Sequence, residues 1–155
     1  MSIDEELAAF MASPVMIILG SCDGQSKPEI GRAMGALAHA ADNRIDLMVS
    51  AWQWPRMVAN VRAGARLAAT FARPSDYVSY QVKGHATVAT ATDDHAAAAA
   101  HYIERITATL GGLGLDRHLV APWLVSRDLV VLCLSVEEIF IQTPGTKAGQ
   151  RIERR

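Results

Sequence analysis

Residues 79–88 read SYQVKGHATV, and within them Val82, Gly84, Ala86 and Val88 alternate strictly with Gln81, Lys83, His85 and Thr87. Period-two alternation marks a half-buried β-strand. One side enters a core. The other side, which carries Ser79, Gln81 and Lys83, is either a solvated wall or a surface that holds a ligand.

The segments around this strand read as strands too. VMIILGSC (15–22) is apolar enough to be buried on both faces and is followed by a turn at Asp23-Gly24. After Pro28 a second strand runs through IGRAMGALAH to the turn ADN at 41–43. RIDLMVS (44–50) sets Ile45, Leu47 and Val49 against Asp46, Met48 and Ser50. RLAATFAR (66–73) is a fourth strand, the opening segment a fifth, and LVVLCLSVEEIFIQT (129–143) a long sixth.

Helices punctuate this order. Ser2 and Glu5 match a capping box, with Ile3, Leu7, Phe10 and Met11 at helical spacing ahead of Pro14. WQWPRMVANVRAG (52–64) is a short helix with Pro55 in its first turn and Gly64 as its stop. Thr92 caps an Ala-rich helical excursion over about 93–112, with Asp93 and Asp94 in its first turn. The tail, about 143–155, reads as irregular. Short connections make the sheet mostly antiparallel, so the expected fold is mainly β: one domain over 1–155, a closed six-stranded barrel with peripheral helices.

Composition narrows the function. The chain has 155 residues, half of them apolar, and a net charge of −1. That suffices for one core and gives no electrostatic reason to expect nucleic acid or an anionic membrane, although Arg151, Arg154 and Arg155 form a short basic end. The apolar run from Leu7 to Leu19 is too short to span a bilayer, and Asp4, Glu5 and Glu6 have the wrong sign for a secretory leader. A cytoplasmic protein is expected. Cys22 and Cys133 lie apart in apolar runs and read as reduced, small hydrophobes.

Familiar catalytic motifs fail on context. Gly111-Gly112-Leu113-Gly114 follows a helix rather than a strand, so it reads as a helix stop and not as a dinucleotide loop. PGTKAG lacks the phosphate-loop spacing. His95 and His101 fall on different helix faces, His39, His85 and His118 stand alone, and no serine has a nucleophile-elbow setting. No metal site or hydrolytic triad is expected.

The run LMVSAWQWPRMVANVRAGARLAATFARPSDYVSYQVKGHATV resembles the core of the pyridoxamine 5′-phosphate oxidase-like, FMN-binding split-barrel superfamily. The resemblance rests on Val49-Ser50, Arg56, Asn60-Val61, Arg66-Leu67-Ala68 and Lys83-Gly84-His85-Ala86, taken in order and spacing, and extends from Pro14 to about Gly149. It implies a six-stranded antiparallel split barrel, a homodimer and an FMN site between subunits. It also implies roles in cofactor binding for Arg32, Val49, Ser50, Arg56, Ser79, Gln81 and Lys83. Arg56 near a helix N-terminus suits a phosphate; Trp52 and Trp54 are candidates to shield the ring. The long last strand carries more apolar surface than a barrel interior needs, to be covered by a partner or by the helix after Thr92.

Two departures argue against oxidation of vitamin B6 compounds. GRAMGALAH has no Lys where that enzyme's second strand carries one, and the tail has no Trp. The expected function is therefore an FMN-dependent oxidoreductase acting on an undefined small molecule, with a non-catalytic flavin- or haem-binding barrel and a ligand-free dimeric scaffold as alternatives. The flavin would carry the redox chemistry, so no catalytic side chain is required.

Overall fold

A computed structural model describes residues 2–153; Arg154 and Arg155 of the basic end lie outside them. Helix α1 (Glu5–Ala12) leads into β1 (Met16–Cys22), β2 (Pro28–Arg32), β3 (Ala36–His39) and β4 (Arg44–Ser50). Helix α2 (Pro55–Arg62), β5 (Arg66–Ala72), β6 (Ser79–Thr90), α3 (Asp93–Gly112), α4 (Arg117–Val120) and β7 (Leu129–Ile141) follow, with a 3-10 turn at Ala121–Trp123 before β7. All pairings are antiparallel, in the order β2-β1-β5-β6-β7-β4-β3.

Among the described residues the sheet thus has seven strands rather than six, and its edges β2 and β3 are not hydrogen-bonded to each other, so it is not closed. The reason lies in the segment expected to be one second strand. It breaks at 33–35, where Ala33 N–H donates to Ile17 O on the β1 side and Met34 N–H donates to Met48 O on the β4 side. The chain swaps partners there. Gly35 allows the bend with φ +119°, and a Cβ would come within 2.9 Å of Met48 Cε and 3.2 Å of Tyr102 Cβ.

Alternation does the folding work. Ile17 and Leu19 of β1, Leu67, Ala69 and Phe71 of β5, and Val82 of β6 enter one core with Ile45, Leu47 and Val49 of β4. Helix α1 closes one end with Leu7 and Met11, and it is capped by Asp4, whose carboxylate accepts from Leu7 N–H at 2.8 Å, rather than by Ser2. Val131 of β7, the register partner of Met48, is fully buried within the single chain.

At Gly84 the β6–β7 ladder slips by one residue. A Cβ there would overlap the Ser135 carbonyl, so the close approach of the two backbones requires glycine. The tail is not free of the sheet: Gly149 N–H donates to Ile141 O at 2.8 Å and Ile152 N–H to Ile139 O at 2.8 Å, laying it beside the end of β7.

Candidate functional site

Register places four of the seven expected residues on one outer wall. Arg32 pairs with Ile18, Ile18 with Thr70, Thr70 with Gln81 and Gln81 with Phe140, making one cross-strand row. The next row runs Ile30, Gly20, Ala68, Lys83, Glu138. Ile17, Leu19 and Val82 point the other way, into the core. Three strand spacings put Arg32 and Gln81 about 14 Å apart along their row.

On this wall the polar groups differ in how far they are already engaged. Gln81 Nε2 donates to Thr70 Oγ1 at 2.9 Å. Ser79 is buried at the strand's start, its N–H donating to Thr143 Oγ1 and its carbonyl accepting from the Gln142 and Thr143 amides. Lys83 holds its ammonium 4.8 Å from the Phe140 ring centre. Its register partner Glu138 instead pairs with Arg66 at 3.4 Å and Arg151 at 3.7 Å.

Around the open edge of β2 the contacts form a closed circuit. The Arg32 guanidinium lies 5.1 Å from the Trp123 ring centre, and the neighbouring Pro122 carbonyl accepts from Gln53 Nε2 at 2.8 Å. Trp54, the next residue, packs so closely on Gly31 that a Cβ there would touch its ring at 3.5 Å. Within this circuit Arg32 Nη1, Trp54 Nε1 and Gln53 Oε1 are buried with no hydrogen-bond partner among the described residues. Orphaned buried groups are unusual, because each costs about 1–3 kcal/mol unless satisfied. An oxyanion would satisfy the Arg32 donor on the outer face, while Trp54 meets β2 on the core-facing side at Gly31.

The remaining expected residues sit elsewhere. Val49 points into the core, and Ser50 is fully buried, its hydroxyl donating to Arg127 O at 2.6 Å and accepting from Gln53 N–H at 3.1 Å. Ser50 thereby fixes the 51–54 turn that carries Gln53 and Trp54. Arg56 is 71% exposed and pairs with Glu29 of β2 at 3.0 Å. Its side chain makes no hydrogen bond or ion pair to Ser79, Gln81 or Lys83.

A second polar cluster went unread in the sequence. Asp46, nearly buried, accepts from His39 at 2.8 Å and Arg44 at 3.1 Å, with His95 Nε2 at 3.5 Å. Burial raises the Asp46 pKa, but His39 and Arg44 outweigh it and hold the carboxyl below its ordinary range. Burial, with Asp46 beside it, pushes the Cys133 thiol up. The clue was a histidine and an aspartate on either side of the turn at 40–43, with Arg44 as the register partner of His39. Among the described residues, no group of three or more His, Cys, Asp or Glu could hold a metal ion. No helix among them is long and apolar enough to cross a membrane.

No protein-family model and no curated protein matches the sequence. Solved structures do match the fold. HupZ of Group A Streptococcus aligns at 17% identity and TM-score 0.57, over 95% of this chain and 99% of that one. A Lactobacillus delbrueckii protein described as a candidate pyridoxamine 5′-phosphate oxidase aligns at 14% identity and TM-score 0.56, over 90% and 93%. HutZ, a haem storage protein of Vibrio cholerae, aligns at 12% identity and TM-score 0.52, over 91% and 95%. At such identities the likeness establishes the fold alone: the split barrel of pyridoxamine 5′-phosphate oxidase-like proteins.

Proposed function

We propose that this chain is an FMN-binding oxidoreductase that works as a homodimer, with the flavin phosphate at the β2 edge and the ring on the outer wall. The observation that carries the reading is the orphaned, buried donor Arg32 Nη1. A phosphate accepts from Arg32 Nη1, a charge-assisted bond that contributes about 1.5–3 kcal/mol. Gln53 Oε1 accepts from a ribityl hydroxyl. Trp123, stacked on Arg32, shields that end from water.

The outer wall suits the rest of the cofactor. Ile18 and Thr70 lie between Arg32 and Gln81 in their row, giving an apolar and then a small side chain on which a ring can rest. Ile18 and Ile30 are 37% and 65% exposed on the same wall, an apolar surface that a second copy would cover. When bound, the flavin supplies the electron or hydride transfer; this chain's residues bind it, orient it and keep water from it. The small-molecule substrate and the electron donor are not specified by these residues.

A second reading, non-catalytic haem binding, has one observation in its favour. His85 Nδ1 lies 2.6 Å from Glu137 Oε1 on the outer wall, which leaves Nε2 for a metal in the way that a carboxylate orients a ligating histidine. Adding FMN or haemin to the purified protein separates the two readings. Flavin absorbance retained through gel filtration supports the first; a Soret band lost in His85→Ala supports the second.

A further inference from the structure

We propose that the outer-wall cleft beside Lys83 binds a flat, apolar organic monoanion, with the Lys83 ammonium receiving its carboxylate. As a statement about the enzyme's substrate this rests on the flavin reading; as a statement about binding it does not.

The cleft holds about 360 Å³, and its lining includes Gly20, Ile30, Ala68, Glu29, Arg66 and Lys83. That volume lies at the small end of ligand sites, enough for one ring system or a short hydrocarbon acid. Gly20 and Ala68 are register partners with almost no side chain, so the cleft exists because the middle of this row is shallow. Ile30, 65% exposed, forms an apolar wall on the β2 side.

The charges around the cleft are unequally matched. Arg66 is already held by Glu137 at 2.6 Å and Glu138 at 3.4 Å. Glu29 is held by Arg56 at 3.0 Å. Lys83 has an aromatic ring beneath it at 4.8 Å and no acidic partner among the described residues. A half-buried ammonium that lacks a counter-ion next to an apolar floor favours an anion with an apolar body. A single unmatched ammonium calls for a single negative group, so the ligand is a monoanion, not a dicarboxylate.

Position gives the cleft its relation to the cofactor. Lys83 lies in the row adjacent to the Arg32–Gln81 row, on the same wall. A ligand in the cleft would lie beside a ring resting between Arg32 and Gln81, separated by two residues along the strands, about 7 Å. This is the placement a substrate needs.

Benzoate is the probe, with benzylamine as the cation of the same body, and binding is followed by chemical-shift perturbation. The wild-type protein is expected to bind benzoate saturably and benzylamine at least tenfold more weakly. Lys83→Met should weaken benzoate binding at least tenfold while FMN affinity stays within twofold; Lys83→Arg should retain benzoate binding within threefold and shows that the site still folds. Equal binding of the two probes, no saturable benzoate binding, or unchanged affinity in Lys83→Met would overturn the proposal. So would an equal loss of FMN and benzoate, which would assign Lys83 to the cofactor. If benzoate binds through Lys83 while FMN fails to bind the wild type, the subsite stands and the flavin reading falls.

Discussion

The Arg32 guanidinium lies 5.1 Å from the centre of the Trp123 ring, joining the last residue of β2 to the short turn that precedes β7. The stack closes over an edge strand that has β1 as its only ladder partner among the described residues. A cation–π contact of this kind contributes about 0.5–1 kcal/mol at a partly exposed site. Trp123→Ala should lower stability by about that amount in urea denaturation, with an unchanged m-value because the fold is kept. A loss of several kcal/mol would mean that the turn is part of the core rather than a cover.

Arg56 and Arg32 make opposite predictions. The Arg56 ion pair with Glu29 is largely exposed, and such pairs contribute about 0–1 kcal/mol. Its partner Glu29 stands three residues along β2 from Arg32, about 10 Å, so the ion pair holds Arg56 away from the Arg32 end of the strand. Arg56→Ala should change stability by less than about 1 kcal/mol. It should leave FMN affinity within about threefold, whereas Arg32→Ala should weaken it at least about tenfold, the equivalent of one charge-assisted bond. Fluorescence titration of both variants decides the matter; a larger effect at Arg56 would move the phosphate to the N-terminus of α2.

The Asp46 cluster sets an acid limit on stability. His39 on β3, Arg44 on β4, His95 on α3 and Cys133 on β7 all face this carboxylate, and its folded pKa lies below the unfolded value. A depressed carboxylate pKa contributes stability that is present above the unfolded pKa, about 3.9, and lost as pH falls through the folded one. Asp46→Asn should therefore destabilise the protein by about 1.5–3 kcal/mol at pH 7. The gap between wild type and variant should narrow at pH 3, measured by urea denaturation at both values. A gap that is constant with pH would show that shape, not charge, is what Asp46 provides.

Ile18 and Ile30 test the assembly. A stable homodimer buries about 1,200–2,000 Å² in all, and the outer wall offers these two exposed isoleucines on its β1 and β2 strands, at the open edge. Light scattering should give a dimer for the wild type and a monomer for Ile18→Asp combined with Ile30→Asp. A wild-type monomer, or a dimer that survives both changes, would place the interface elsewhere.

Much of the fold was legible because alternation is a local property. The strands at 44–50 and 79–90 follow from side-chain period, Thr92 caps its helix through its hydroxyl and Gly64 ends another at φ +87°. The strand at 16–22 was expected to be buried on both faces, but it alternates, with Ile18 37% exposed, because no second layer covers the outer wall. The break at Gly35 was not legible. A glycine inside an apolar strand looks the same whether the strand continues or swaps partners, and the difference lies in Met48 and Tyr102, which pack on it from far along the chain. The cap of α1 fell to Asp4 because Ile3 is drawn into the core, which sets where the first turn begins.

The site was legible as a wall rather than as a pocket. Period two puts Ser79, Gln81 and Lys83 on one side, but only strand pairing brings Arg32 to the same side three strands away. Gln53 and Trp123 carried no signal. Their relevance comes from the Pro122 carbonyl and the Arg32 side chain, contacts between segments some 70 to 90 positions apart.

The most direct test of the central claim compares FMN with riboflavin, which share a ring and differ in the phosphate. In phosphate-free buffer the wild-type protein should bind FMN at least about tenfold more tightly than riboflavin, as one charge-assisted contact requires, and Arg32→Ala should abolish that preference. Equal affinity for the two flavins, or a preference that survives in Arg32→Ala, would contradict a phosphate site at the β2 edge.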